Sequence, residues 1–278
     1  MQKHSKTALR FAIAITLTIA FVGTSVAERL RPETTEAFDS YVQQREKQIA
    51  QELNAGPFLH LDRLPTDERE NAYAHLKKGD VLTQRMPPGS DEAMHVPHGL
   101  IHHWIGTVFI PGVTLSQTVA FLLDYDNQYK FYGPEVQRSK LLERNGNDYK
   151  MFLRLKKTKI ITVILDTTYD VKYVPISADR AVSYSHSTRI AEVENAGKPN
   201  ESEKPVGDDG GFMWRLNSYW AFLQRDGGVY LQLEAISLTR DIPSAVGWLV
   251  APFVTSIPRE SLVFTLARTR EALMKPKQ

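Results

Sequence analysis

Four histidines fall within nine residues, at His95, His98, His102 and His103, a density that raises the question of a metal centre. First-row ions hold imidazole nitrogens about 2 Å away, so the rings must converge on one point. The stretch from His98 to Ile110 is rich in β-branched and aromatic residues and reads as a strand. On a strand His102 and His103 point to opposite faces, and His98 and His102 stand roughly 13 Å apart. One strand cannot gather these rings, so they read as strand and rim histidines, with no metal or other cofactor implied.

The carboxylates give equally little to a reaction. Asp124, Asp126 and Glu135 imitate positions one, three and twelve of a calcium loop, but Tyr129 stands where the sharp turn needs glycine and Gln128 fills position five. Asp166 and Asp170 share a strand face about 13 Å apart, too far for a glycosidase pair. His186 alternates with Val182, Tyr184 and Ile190, which points it inward as a core histidine rather than a catalytic base. Arg215, Asn217, Tyr219 and Glu234 converge across a predicted hairpin and read as the solvated outer face of a sheet. With the faces inverted, they would instead line a cavity and meet a carboxylate or carbonyl. No GxSxG, HExxH, GxGxxG or Walker A pattern occurs. The absence of cysteine excludes disulfides, thiolate metal sites, thiol nucleophiles and a lipid-modified N-terminal cysteine.

The elements that carry these residues follow from hydrophobic period. Phe38, Tyr41, Val42, Ile49 and Leu53 recur at helical spacing, and a second helix is predicted from Thr66 to Lys78, closed by Gly79. Residues 28–90 thus form a helical extension that ends in the loop Met86-Pro87-Pro88-Gly89-Ser90. From residue 98 strands dominate. A first strand to Ile110 is followed by short helices over 114–124 and 125–132, then strands near 136–144, 148–157, 160–174 and 180–191. The polar stretch from Glu192 to Gly211 reads as a mobile loop.

The last hairpin, Phe212 to Arg225 and Val229 to Arg240, turns at Asp226-Gly227, a pair favoured in type I′ turns. A two-residue turn sets Trp220 opposite Leu233 and Leu216 opposite Ser237. Trp214, Leu216, Ser218, Trp220, Phe222, Leu231, Leu233 and Ala235 then share one face; Arg215, Asn217, Tyr219, Tyr230, Gln232 and Glu234 share the other. Pro243 to Ala251 leads to a final helix from about Pro258, with Leu262, Val263, Leu266, Ala267 and Leu273 as its apolar stripe. Strands do not alternate with long helices, which argues against a parallel sheet. The predicted class is α+β: residues 91–278 form a curved antiparallel sheet around a long C-terminal helix, preceded by the helical extension.

Composition bounds the setting. The chain has 278 residues, 42% hydrophobic and 24% charged, with a formal charge of +2. Lys3, Lys6 and Arg10 precede an apolar run from Phe11 to Val22, and small residues lead to Ala27. That is the layout of a secretory signal peptide cleaved after Ala27. Twelve residues span roughly 18 Å as a helix, short of the ~30 Å hydrocarbon core. The expected product is a secreted or periplasmic bacterial protein starting at Glu28, with a net charge of −1 because residues 1–27 hold three cations and no acid. Nothing basic marks it for nucleic acid.

The stretches FMWRLNSYWAFLQRDGGVYLQLEAISLTRDIP (212–243) and GWLVAPFVTSIPRESL (247–262) resemble exported bacterial START-like proteins. The element order from 98 to 273 resembles the helix-grip fold shared with lipid-transfer domains, the birch-pollen-allergen family and polyketide cyclases. The resemblance implies a cavity between sheet and last helix for an apolar small molecule or lipid. Trp214, Leu216, Trp220 and Leu233 on the sheet, Tyr184 and His186 beside them, and Leu262 and Leu266 on the helix are the candidate ligand-binding residues. The expected function is an exported carrier. A cyclase or hydrolase using polar cavity residues is one alternative. The other is an envelope module that docks through residues 28–90, with transient membrane or protein contact.

Overall fold

The computed structural model describes residues 28–54, 56–87, 93–242 and 256–275. Residues 1–27, expected to be an export signal, and the stretch from Pro243 to Ala251, with Trp248, lie outside the described residues. A two-residue strand β1 (Glu28–Arg29) leads into α1 (Pro32–Asn54), a 3-10 turn (His60–Arg63) and α2 (Thr66–Lys78). Gly79, at φ 101°, ends α2 in the left-handed conformation, and its N–H turns back to the His75 and Leu76 carbonyls. Strands β2 (Leu82–Arg85), β3 (Met94–Val96) and β4 (Gly99–Pro111) precede α3 (Leu115–Leu122) and α4 (Gln128–Phe131). Thr114 caps α3, its hydroxyl accepting from the Gln117 N–H.

Four long strands follow, β5 (Val136–Asn145), β6 (Asp148–Thr158), β7 (Thr162–Pro175) and β8 (Arg180–Glu194). Two short ones, β9 (Ser202–Glu203) and β10 (Asp208–Asp209), separate them from the hairpin β11 (Arg215–Arg225) and β12 (Gly228–Arg240); α5 (Ile257–Met274) closes the described chain. The hairpin turns on Asp226 and Gly227 at φ 57° and 74°, which pairs Trp220 with Leu233 and Leu216 with Ser237.

The main sheet is antiparallel, in the order β2-β4-β12-β11-β8-β7-β6-β5. Register shifts at Val136/Arg138, Leu141/Glu143 and Thr168/Tyr169 add the local bends by which a wide sheet curls. Helix α5 lies in the concave face. Its Leu262 and Leu266 join Val108, Leu231, Leu233 and the α3 residues Leu115 and Val119 in one apolar cluster. The seat for those leucines is Gly106 on β4. A Cβ there would stand 2.5 Å from Leu262 Cδ2 and 2.8 Å from Leu266 Cδ1.

The convex face is covered too, a departure from the solvated face expected from its polar residues. Phe38 and Val42 of α1 pack on Ile101, Trp214, Tyr219, Ile236 and Leu238. Leu59, Leu61 and Leu76 pack on Phe109, Val182, Leu223 and Tyr230. Helices α1 and α2 and the 3-10 turn therefore lie against the sheet, and β2 pairs with β4 as its edge strand. The polar stretch from Glu192 to Gly211, expected to be mobile, is tied down by its charges. Glu201 pairs with Arg154, Lys204 with Glu192, and Glu203 with Arg189, while Leu30 N–H donates to Gly207. Gly106→Val is expected to lower stability by about 1–3 kcal/mol in urea unfolding, because two buried leucines must retreat. An unchanged midpoint would mean that α5 is not seated there.

Candidate functional site

A helix laid in a curved sheet touches it along a line and stands away from the rest. Helix α5 meets β4 and β12, and between it and strands β6, β7, β8 and β11 lies a cavity of about 280 Å³. Its walls come from Leu216, Trp220 and Phe222 on β11 and Leu233 on β12. Met151, Leu153, Leu155, Leu165 and Val171 on β6 and β7 continue them, with Leu262 on α5 and Leu122 on α3.

The cavity exists because one row of side chains across the sheet is small. Ser185 on β8, Ser218 on β11 and Ala235 on β12 are cross-strand neighbours, and Trp104 on β4 ends the row. Larger residues flank it, with Trp220 and Leu233 on one side and Leu216 on the other. Close-packed interiors leave few voids larger than a water, so a row of small residues under a helix held off by the sheet's curl is the source of the space.

The polar groups of the wall are few. Ser183, Ser185, Ser218 and Ser237 line the cavity, and none of their hydroxyls has a hydrogen-bond partner among the described residues. The Trp104 indole N–H and the Tyr169 hydroxyl, unlike the serine hydroxyls, are closed off from solvent, and neither has a hydrogen-bond partner among the described residues. Burial pushes the Tyr169 hydroxyl up to about 12, so it stays neutral. At one end Lys157 pairs with Glu135 beside the Phe264 ring. Burial holds the Lys157 ammonium below its ordinary value, against the pull of Glu135.

The structure brings together Leu216, Trp220, Leu233 and Leu262 on the cavity wall. It places the other four sequence candidates elsewhere. Leu266 is fully buried against Gly106, in the core and not on the wall. Trp214 precedes β11, where the chain has not yet settled into the strand's alternation. It faces the convex side, packing with Phe38 and donating its indole N–H to Asp209 at 3.1 Å. Tyr184 and His186 alternate with the cavity serines Ser183 and Ser185, so they too point to the convex side. Tyr184 meets Tyr219 edge-on, and His186 Nε2 lies 2.6 Å from Glu46 Oε1. The hairpin register puts Ser218 on the apolar face, but the sequence reading names no serine as a wall residue; the place of Ser183 and Ser185 in the alternation of β8 is the further signal.

The convex face holds the strongest electrostatics. Arg45 of α1 makes a two-pronged contact with Glu234 at 2.5 and 2.9 Å, and also contacts Glu52. His103 Nε2 lies 2.8 Å from Glu234, and its Nδ1 2.7 Å from the Tyr41 hydroxyl. A carboxylate only accepts, so Nε2 donates, and in the neutral ring Nδ1 accepts from Tyr41. Burial alone would raise Glu234; hydrogen bonds from Arg45 and His103 outweigh it and bring the carboxyl down to about 2. His102 points the other way, its Nε2 2.9 Å from Thr239 Oγ1; burial, then the charge of Arg85, lowers it to about 4. Asp166 is held by Arg154 at 2.7 Å on both oxygens. No group of three His, Asp or Glu among the described residues is placed to hold a metal.

A single long helix gripped in a curled antiparallel sheet, with two short helices after the first long strand and a cavity beneath, decides the architecture. It is a helix-grip fold. No protein-family model matches the sequence, and no curated protein does. Solved helix-grip structures are similar in shape. One is a STAR-related lipid transfer protein fragment from Xanthomonas axonopodis, 16% identical, covering 66% of this chain and 97% of that one at TM-score 0.44. Another is the Zhui aromatase/cyclase of a Streptomyces species, 13% identical, covering 62% and 93% at 0.45. A START superfamily protein from Mycobacterium smegmatis is 11% identical, covering 62% and 96% at 0.41. Likeness at this level bears on neither ligand nor reaction.

The buried network has a pH signature. A carboxyl held below its unfolded value stabilises the fold fully above about 4.5 and loses that contribution as pH falls towards 2. Wild-type urea midpoints should therefore drop between pH 5.5 and 3, and Glu234→Gln should flatten that drop. The same variant should cost about 3 kcal/mol at pH 7, since it strips Arg45 of its buried partner. Equal pH slopes in both proteins would remove Glu234 from this role.

Proposed function

We propose that the protein is an exported carrier that holds one hydrophobic small molecule or lipid between its sheet and α5. The observation that carries this reading is the 280 Å³ cavity, walled by Leu, Val, Met, Phe and Trp side chains inside an otherwise covered sheet. Space of that kind weakens a fold, because the apolar lining loses contacts that a packed core would make. A ligand restores them. Burying ~300 Å² of apolar ligand surface offers about 7 kcal/mol before the costs of ordering and association. Export rests on the basic, apolar and small-residue order of residues 1–27, and the near-neutral remainder suits transient rather than standing contact with a membrane.

Native mass spectrometry of the full chain expressed in a bacterial host tests both parts together. The expected species begins at Glu28 and carries one added mass that organic extraction removes. Trp220→Glu, with wild-type circular dichroism, should lose that mass, because a carboxylate would enter the apolar wall. A protein that stays at its bare mass before and after incubation with a lipid panel overturns the carrier reading; an unprocessed N-terminus overturns export.

A further inference from the structure

Serines in an apolar wall need a reason. A hydroxyl that makes no hydrogen bond to the protein gives the fold nothing that alanine, of nearly the same volume, would not give. The next residue of the same row is in fact Ala235. Ser185 is 3% exposed and Ser218 half-buried. They are direct cross-strand partners on the cavity floor, and neither side chain has a hydrogen bond among the described residues. Cross-strand neighbours hold their Cβ atoms about 5 Å apart. Two hydroxyls so spaced converge on a single acceptor oxygen between them, each at ordinary hydrogen-bond length. At the far end of the row the Trp104 N–H, a group that only donates, is likewise unpartnered.

We infer that this row is a polar subsite for a carbonyl oxygen in the body of the ligand, with Ser185 and Ser218 as its specificity-determining donors. The ligand class is then a ketone, quinone or ester embedded in a hydrophobic skeleton, not a plain hydrocarbon. This rests on the carrier reading above and narrows it. The surrounding wall, with Trp220, Leu233 and Leu216 bracketing the row, is apolar, so a ligand oxygen placed there meets no protein acceptor that competes for the two donors. A hydrocarbon in the same place would leave both hydroxyls unsatisfied.

Fluorene and 9-fluorenone make the test, since they differ by one CH₂ replaced by C=O at nearly constant shape. Equilibrium dialysis of the full chain against each, with absorbance readout, should give about tenfold tighter binding of fluorenone, the worth of one to two good hydrogen bonds. In the double variant Ser185→Ala/Ser218→Ala that preference should fall to twofold or less, with fluorene binding retained or tightened. The variant's Tm should be equal to or above wild type, because no protein hydrogen bond is lost. Equal binding of the two probes to wild type, an unchanged preference in the variant, or a Tm lowered by several degrees each overturns the assignment while leaving the carrier reading in place. Failure of both probes to bind overturns the two together.

Discussion

Helix α5 can touch the curled sheet closely only where a side chain makes room, and that place is Gly106. With Leu262 and Leu266 lodged over the missing Cβ, the helix leans on β4 and β12. The strands that curl away from that line, β6, β7, β8 and β11, are left facing space. Small residues at Ser185, Ser218 and Ala235 keep that space from being filled from below. One close contact on one side of the sheet thus sets the opening on the other, and the cavity's position follows from where the helix is seated.

The two faces of the sheet solve burial in opposite ways. The concave face leaves a few neutral hydroxyls and an indole N–H unsatisfied in an apolar wall. The convex face buries full charges and satisfies them. Glu234 has Arg45 on both oxygens and His103 beside them, and Arg45 has Glu52 as well. Buried ion pairs seldom add much net stability over apolar packing, but breaking one is costly. Here the partners come from α1 and from the sheet, so the network holds the N-terminal helix to its register on β4 and β12. With the convex face covered in this way, the cavity opens on the concave side, between the sheet and α5.

Much of this was legible in the residues. The type I′ turn at Asp226-Gly227 sets the hairpin register, and the register sorts Leu216, Trp220 and Leu233 onto one face, where the structure has them. The end of α2 at Gly79 and the start of α5 near Pro258 followed from capping chemistry. What the alternation could not reveal was the fate of the other face. Asn217, Tyr219 and Glu234 look like a solvated row, because the helix that compensates them lies nearly two hundred residues away in sequence. Tyr184 and His186 stand one step out of phase with Ser183 and Ser185 and so lie on the convex face. Bulky residues suggested a pocket wall, whereas a pocket needs small ones. Trp214 differs: it belongs to the apolar set by parity but precedes the strand, so parity does not govern it.

The dependence of the cavity on its row of small side chains can be measured directly by filling it. Ala235→Phe places a ring in the middle of that row, between Ser218 and Trp104. The expected outcome is a Tm equal to or above that of wild type with loss of any extractable hydrophobic molecule, since the ring occupies the ligand's space and restores the missing contacts. A large fall in Tm with the bound molecule retained would show that the space under α5 is already filled by the protein and that the ligand lies elsewhere.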